Sequence, residues 1–577
     1  MNISKKMTYI AQNKFKLFLI ICASGISFSY YLYCLWIPSE ITCVNNPNRN
    51  YTYIIVGAGT SGCVLASRLS KNSQNQVLLV EAGGHFNVLS KIPFLAVFLQ
   101  KSNYDWNYET VPQKWSSTGF YNKKQALSRG KGLGGTNQLN FLIYNGINNQ
   151  STWELQDSLL QYLRSKRCLI KSNYLDEILL RNTRICVKKC KPYSSIRIQR
   201  TESELGNILK QSLKELNLPA IKYSKGDASI HKGERWSTYR SHLVPAASRK
   251  NLHILCNTEV TKIIFKDKRA IGVQLHNNRI IYSESEIIIS AGSINTPKLL
   301  LLSGLGNEQL LRELNITTIH NLPGVGLNLH DHIAIPIYVE IKEPLSLTLR
   351  KVINPIEVFN YAFNKKGIFN SSPVAAFLQS SKNFLILFIG STPEDPFRTV
   401  ANYLPETFKN LFPFANDYNH EGFVFLAGCK HTQSRGFVSL NPNKTVVIDP
   451  QYFQNGEDVE CVKDAMTLVQ QLLNTTSFKR IGSKMHLPQL RQCSSSNFTR
   501  DAYLKCIIRA AAITMYHQAG TCKMGNDTLA VVDHNFRVKG VTRLRIVDAS
   551  VLPRPSNNFP NTVITIMAEY VSSLLNI

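Results

Sequence analysis

The most explicit chemistry in the sequence lies between Gly57 and Glu81. Gly57-Ala58-Gly59-Thr60-Ser61-Gly62 is a G-x-G-x-x-G loop, and Glu81 follows Gly62 by 19 residues. That spacing suits a grip on a dinucleotide. Gly57 permits a tight turn, Gly59 lets backbone approach a pyrophosphate, and Gly62 lets helix and strand pack closely. Thr60 and Ser61 fall where a helix N-terminus offers unpaired N–H groups and a positive dipole end to phosphate. Glu81 has the reach to accept hydrogen bonds from an adenosine ribose. The elements that must hold these residues flank them. Tyr53-Ile54-Ile55-Val56 predicts a strand, Val64, Leu65 and Leu69 a helix, and Val77-Leu78-Leu79-Val80 a second strand. Strand, glycine loop, helix, strand and acid in this order make a Rossmann fingerprint, a context that a lone glycine pattern lacks. The fingerprint serves FAD and NAD alike.

The chain has 577 residues, 44% hydrophobic and 18% charged, an ordinary globular composition with room for two domains. Its net charge is +28, from 66 Lys and Arg against 38 Asp and Glu. The basic residues are spread throughout without a stripe interleaved with aromatics, so a solvated surface is expected and nucleic acid is not. Lys5, Lys6, Lys14 and Lys16 precede an uncharged run over 17–37. A run of that length can cross a bilayer as an anchor, and Ala23-Ser24-Gly25 also fits a cleavable secretory signal. Both readings send the body of the protein into the secretory route. Among the 13 cysteines, Cys168, Cys186 and Cys190 cluster without a zinc spacing, so no metal is assigned. Cys63 and Cys522 are read as small packing residues.

Three further motifs bear on the cofactor. Residues 129–140 read RGKGLGGTNQLN, and Gly130, Gly132, Gly134 and Gly135 suit backbone lying against a ligand, with N–H groups forming an anion nest. Ile287-Ile288-Ile289-Ser290-Ala291-Gly292-Ser293 predicts a buried strand returning beside the first and ending in small residues. Gly324-Val325-Gly326-Leu327-Asn328-Leu329-His330-Asp331-His332 lacks a third glycine, so no second dinucleotide site is expected. Its two histidines at i, i+2, without further ligands, are weak evidence for a metal.

With these pieces and His517-Gln518-Ala519-Gly520-Thr521-Cys522-Lys523-Met524-Gly525, Lys232-Gly233-Glu234-Arg235-Trp236-Ser237-Thr238 and Val547-Asp548-Ala549-Ser550, the chain resembles the glucose–methanol–choline (GMC) oxidoreductases. Within them it is similar to the insect glucose-dehydrogenase-like branch. The resemblance covers most of 51–577 and implies FAD. It assigns the cofactor to Gly57, Gly59, Thr60, Ser61, Gly62 and Glu81, to the loop residues Gly132, Gly134, Gly135, Thr136 and Asn140, to Val260 on the adenine side and to Asp548 beside the flavin. It implies an α/β Rossmann-like FAD-binding domain of the glutathione-reductase type, discontinuous in sequence, and an α+β substrate domain with an antiparallel sheet. The expected layout is a signal or anchor over 1–48, FAD domain over 51–334 with a divergent insert or lid at 150–220, substrate domain over 335–510, and a returning segment over 511–577.

Oxidising an alcohol requires a hydride to leave carbon for the flavin N5 and a proton to leave oxygen. A neutral imidazole suits the proton, because its ordinary pKa of about 6.5 lies near operating pH. The resemblance places this base at His517 and a second active-site residue at Asn561, whose NH₂ group can hold the substrate oxygen. Asn561 follows Pro560 before an apolar helical run, so a helix-capping role is also open. The implied partners are a small-molecule alcohol and an electron acceptor, whether oxygen, a quinone or a protein. The chain departs from the family after Ile143-Tyr144, where an Arg-Gly pair is replaced by Asn145-Gly146, and over 154–200 and 371–433. These stretches belong to the substrate side. Two alternatives stay open on sequence: a non-catalytic secreted flavoprotein, and an FAD-containing lyase.

Overall fold

The computed structural model describes residues 41–144, 197–199, 202–390, 394–494, 499–556 and 559–575. Two seven-stranded sheets organise them. The first begins at Asn50–Val56, whose apolar run is buried on both faces, with Ile54 and Ile55 fully enclosed. Such two-sided burial is what a parallel strand covered by helices requires. Asn50–Val56 pairs in parallel with Val77–Val80 on one side and Ile280–Ile289 on the other. Leu252–Leu255 extends the sheet beyond Val77–Val80. Leu544–Ile546 joins it beside Ile280–Ile289, so the C-terminal segment returns to the first domain through a strand. Val260–Lys266 and Arg269–Leu275 form an antiparallel hairpin on that flank.

The helix Thr60–Leu69 runs from the glycine loop and packs along the C-terminal helix Pro560–Leu575. Both are joined at matched positions. Thr60 Oγ1 donates to Asn561 Oδ1 at 3.2 Å, and Arg68 Nε donates to Glu569 Oε2 at 2.7 Å. His242 Nε2 lies 3.1 Å from Glu569 Oε1. Burial alone would raise the Glu569 carboxyl, but the His242 and Arg68 hydrogen bonds outweigh it and hold the group down at about 2.

The second sheet is antiparallel, in the order Lys484–Met485, Ile333–Glu340, Gly422–Cys429, Asn383–Phe388, Val374–Gln379, Lys222–Lys225, with Ile513–Thr514 also on Ile333–Glu340. The helix Glu457–Leu473 covers it with Val459, Val462, Met466, Val469 and Leu473, a helical stripe on one face.

Domain bounds differ in detail from the linear reading. Lys222–Lys225 precedes 335 yet pairs with Val374–Gln379 in the second sheet. The described part of the 150–220 stretch is not a lid. Its helix Glu204–Glu215 buries Leu205, Leu209 and Leu213 in the second domain's core, because an i, i+4, i+8 apolar stripe needs a covered face. Conversely, Phe437–Leu440 and Val446–Asp449 lie within 335–510 but pack Val438 and Ile448 against Leu127, Ile294 and Leu329. The run over 17–37, residues 145–149 and the cluster of Cys168, Cys186 and Cys190 lie outside the described residues. Among the described residues no helix is long and apolar enough to cross a membrane. Among the described residues, disulfides join Cys43 to Cys256, Cys429 to Cys461 and Cys493 to Cys506. His85 lies beside the first, with Nε2 3.5 Å from Cys43 Sγ, and both cysteines of that cluster are consumed by the bond.

Candidate active site

A cavity of about 600 Å³ opens where Asn50–Val56 and Val77–Val80 end, and its wall continues along the second sheet. Open α/β sheets place their ligand crevice at this carboxyl edge. Gly57, Gly59, Thr60, Ser61, Glu81, Gly135, Thr136, Asn140, Val260, Asp548, His517 and Asn561 all line it. Gly62, Gly132 and Gly134 do not, and each has a packing reason to be glycine. A Cβ on Gly62 would stand 1.9 Å from the Gly57 carbonyl oxygen. Gly134 adopts φ +103°, and its N–H reaches the Ala58 carbonyl at 2.7 Å. Gly132 has no room for a Cβ against the Gly84 carbonyl, 2.7 Å away.

Gly59 is different. Its φ of −73° suits any residue, and the nearest atom to a built Cβ is 4.0 Å away. No atom of the described residues requires glycine there; a group lying in the cavity would. Among the described residues, the helix beyond it starts without a side-chain cap and the buried Ser61 Oγ has no hydrogen-bond partner. Free N–H groups and an orphaned hydroxyl at a helix N-terminus fit the oxygens of a pyrophosphate. Glu81 accepts from the Ala58 N–H at 2.8 Å and the Gly83 N–H at 3.0 Å. Burial raises its carboxyl to about 7 against the pull of those bonds. Each carboxylate oxygen keeps a further acceptor position for a ribose hydroxyl.

Two predicted residues act through other protein groups. Asp548 accepts from the Gly292 N–H at 2.9 Å and Thr296 Oγ1 at 2.6 Å, tying the start of the helix Gly292–Leu302, which follows the Ile280–Ile289 strand, to the C-terminal segment. The Asn140 carboxamide is held by Arg235, whose Nη1 donates to Oδ1 at 2.6 Å and whose Nε donates to the Ser90 carbonyl at 3.0 Å. Arg235 is a buried guanidinium pinning the glycine loop, and its own motif was the signal for it.

At the other end of the cavity, His517 follows Tyr516, a non-glycine residue at φ +60°. Left-handed backbone in a bulky residue is uncommon and persists only where its surroundings enforce it. Here Arg129 Nη2 donates to the Tyr516 carbonyl at 2.6 Å, and Asp331 Oδ1 accepts the His517 N–H at 2.8 Å. Asp331 Oδ2 also takes Tyr452 Oη at 2.6 Å and Gln518 Nε2 at 2.5 Å. The His517 ring is fixed from behind: its Nδ1 lies 2.9 Å from His332 Nδ1, and His332 Nε2 lies 3.0 Å from the Lys430 carbonyl oxygen. Burial, then the neighbouring His332 and Arg129, hold the His517 imidazole well below its ordinary range. Burial lowers His332 to about 4. Both rings are therefore neutral near pH 7.

That neutrality dictates the protons. A carbonyl only accepts, so His332 carries its proton on Nε2 and accepts at Nδ1. His517 must then donate from Nδ1, which leaves the lone pair on Nε2, a nitrogen without a hydrogen-bond partner among the described residues. The His330-Asp331-His332 stretch thus contributes Asp331 and His332 to the site as orienting groups. The resemblance implies a structural or flavin-proximal place for this stretch, without linking it to His517 in particular. Asn561 sits inside the first turn of Pro560–Leu575, one residue past the helix start. With Oδ1 taken by Thr60, its NH₂ group is left for the cavity.

Two sequence models described as GMC oxidoreductase match the chain, the N-terminal one over residues 51–334 and the C-terminal one over 432–568. "Neither inactivation nor afterpotential protein G" of Drosophila melanogaster is 32% identical, over 91% of this chain and 90% of its own length. "Glucose dehydrogenase [FAD, quinone]" from the same organism is 31% identical, over 92% and 87%. The crystal structure of pyridoxine 4-oxidase from Mesorbium loti superposes with a TM-score of 0.72 at 21% identity, over 91% of this chain and 99% of that one. A dinucleotide cradle, a histidine facing it across one cavity, and matches spanning both domains lead to one conclusion: the chain belongs to the GMC oxidoreductase family and is an FAD-dependent oxidoreductase.

Proposed function

We propose that the protein oxidises an alcohol to a carbonyl, with His517 Nε2 accepting the hydroxyl proton. The observation that carries this reading is the orientation of His517 by His332 and the Lys430 carbonyl, which leaves one basic nitrogen on the cavity. Bound FAD supplies the hydride acceptor. Gly57, Gly59, Thr60 and Ser61 would hold its pyrophosphate, Glu81 its ribose and Val260 its adenine side, while Gly135 and Thr136 close the cradle. Gly62, Gly132, Gly134, Asn140 and Asp548 shape that cradle through the packing and hydrogen bonds described above.

His517 is the general base and Asn561 its partner. The Asn561 NH₂ group donates to the substrate oxygen and directs its proton towards Nε2; the helix N-terminus on which it stands favours the developing negative charge. Asp331 and Arg129 are positioning residues that hold the two ends of the Tyr516–His517 peptide group, from which the ring projects. The electron acceptor is oxygen or a quinone, both of which occur in relatives' names, "Oxygen-dependent choline dehydrogenase" and "Glucose dehydrogenase [FAD, quinone]". Three disulfides support the secretory route, since such bonds persist in oxidising compartments. The test is anaerobic: an alcohol panel should bleach the bound flavin, and adding oxygen or a quinone should restore its colour. A flavin that stays oxidised with every alcohol would refute the reading, and turnover without bleaching would point to lyase chemistry.

A further inference from the structure

The chemistry of the cavity wall carries a statement about the substrate. Every cavity residue contributed by the segment 335–510 is apolar except Tyr403, among the described residues. Leu347, Phe388, Phe408, Phe412, Val424 and Leu426 give the wall its character. Tyr403 does not break it, because its hydroxyl donates to the Ala511 carbonyl at 2.6 Å. Phe141 and Ile143, where the glycine loop runs out, add to the same surface. Thr514 Oγ1 and Gln518 Nε2 lie close to His517 but donate to Asp331. The side-chain groups left for a substrate at this end include His517 Nε2, the Asn561 NH₂ and Gln518 Oε1, none of them on the apolar wall.

Further apolar residues follow this wall in sequence. Val352 lines the cavity, and the chain then presents Ile353, Ile356, Phe359 and Phe363 at 58%, 64%, 56% and 64% exposure, most of them along the helix Pro355–Asn364. An apolar wall offers no side-chain partner to a second or third hydroxyl, and a buried hydroxyl without a hydrogen bond is strongly disfavoured.

We infer that the substrate is an extended apolar alcohol, of the long-alkyl or isoprenoid kind, with its single reactive hydroxyl at the His517 and Asn561 end, and not a sugar or a charged alcohol. The inference rests on the alcohol-oxidation reading for the fate of the hydroxyl, and on the wall alone for the rest of the molecule.

The experiment uses the FAD-loaded protein and two readouts. Anaerobic flavin bleaching is followed with geraniol, decanol, glucose and choline. Binding of decyl methyl ether, which has no hydroxyl to oxidise, is followed by the shift it causes in the flavin spectrum. Geraniol or decanol should bleach the flavin at least about 100-fold faster than glucose or choline at equal concentration, and the ether should bind. Comparable or faster bleaching by glucose or choline would overturn the inference and leave alcohol oxidation standing. No bleaching by any alcohol, with the ether still bound, would sink alcohol oxidation and leave the apolar site standing. Neither bleaching nor binding would overturn the inference. Leu426→Gln, which puts a carboxamide on a half-buried position of the wall, should narrow the preference for decanol over glucose by about tenfold at unchanged flavin content; an unchanged preference would count against the assignment of this wall.

Discussion

His332 and His517 meet Nδ1 to Nδ1 at 2.9 Å, and the far nitrogen of His332 is tied to the Lys430 carbonyl oxygen at 3.0 Å. One tautomer satisfies both contacts with neutral rings, so His332 chooses which nitrogen of His517 is basic. His332→Leu removes the acceptor and should slow flavin bleaching ~100-fold. His332→Asn keeps an oxygen that can take the His517 Nδ1–H, and should retain more of the rate. The pH profile separates positioning from bulk disruption: His332→Leu removes the acceptor and one neighbour that depresses His517, so its acid limb should move upwards.

In the wild type, burial and then His332 and Arg129 hold the His517 pKa well below its ordinary value. The active, unprotonated form therefore already dominates at about pH 6.5. The rate of bleaching should be flat from there to about pH 8 and fall only at lower pH. An acid limb centred near or above 7 in stopped-flow traces would contradict this environment.

Asn561→Ala removes the NH₂ group left towards the cavity while sparing Pro560, which starts the helix. The expected loss is about tenfold to 100-fold in the bleaching rate, the scale of one hydrogen bond to developing charge. Because Thr60 loses its partner too, flavin content is to be measured in parallel. An unchanged rate would remove Asn561 from the site.

Gly59→Ala and Gly62→Ala should fail in opposite ways. At Gly59 the new methyl meets open cavity, so the FAD-free protein should melt as the wild type does, yet bind FAD poorly. At Gly62 it lands 1.9 Å from the Gly57 carbonyl, which should destabilise the fold itself by roughly 1–3 kcal/mol or more. Thermal melts of the FAD-free variants, paired with flavin absorbance after reconstitution, distinguish the two.

Acid should unfold the protein through its buried histidines. Burial holds His330 at about 3 and His332 at about 4. Above about pH 6.5 neither the folded nor the unfolded state protonates them. As pH falls below that, the unfolded chain takes up protons that the folded one refuses, so stability drops until the folded values are reached. His332 alone accounts for roughly 3 kcal/mol between about pH 6.5 and 4. Urea melts of His332→Asn should show a shallower loss over that window.

Much of this was legible in the sequence because it is local. The fingerprint from Gly57 to Glu81 spans two adjacent strands and the helix between them, and periodicity alone marks all three. The parts that escaped are set by contacts across the chain. His332 and His517 are 185 residues apart, and Thr60 fixes the Asn561 carboxamide from 501 residues away. By type and spacing His330-Asp331-His332 was weak evidence for a metal, the resemblance made it structural or flavin-proximal, and only the fold shows Asp331 turned to the His517 N–H. Lys222–Lys225 is polar and gives no apolar alternation; it is a strand because Val374–Gln379 offers it an edge. The same limit applied to the cavity wall, whose residues come from strands and helices scattered over the second domain.

The most direct test compares wild type and His517→Ala under anaerobic conditions, at equal flavin content and with an alcohol that bleaches the wild type. The account predicts that the variant binds FAD normally and bleaches at least about 100-fold more slowly, with the deficit shrinking as pH rises and the hydroxyl ionises without help. Equal bleaching rates at pH 7 would contradict it.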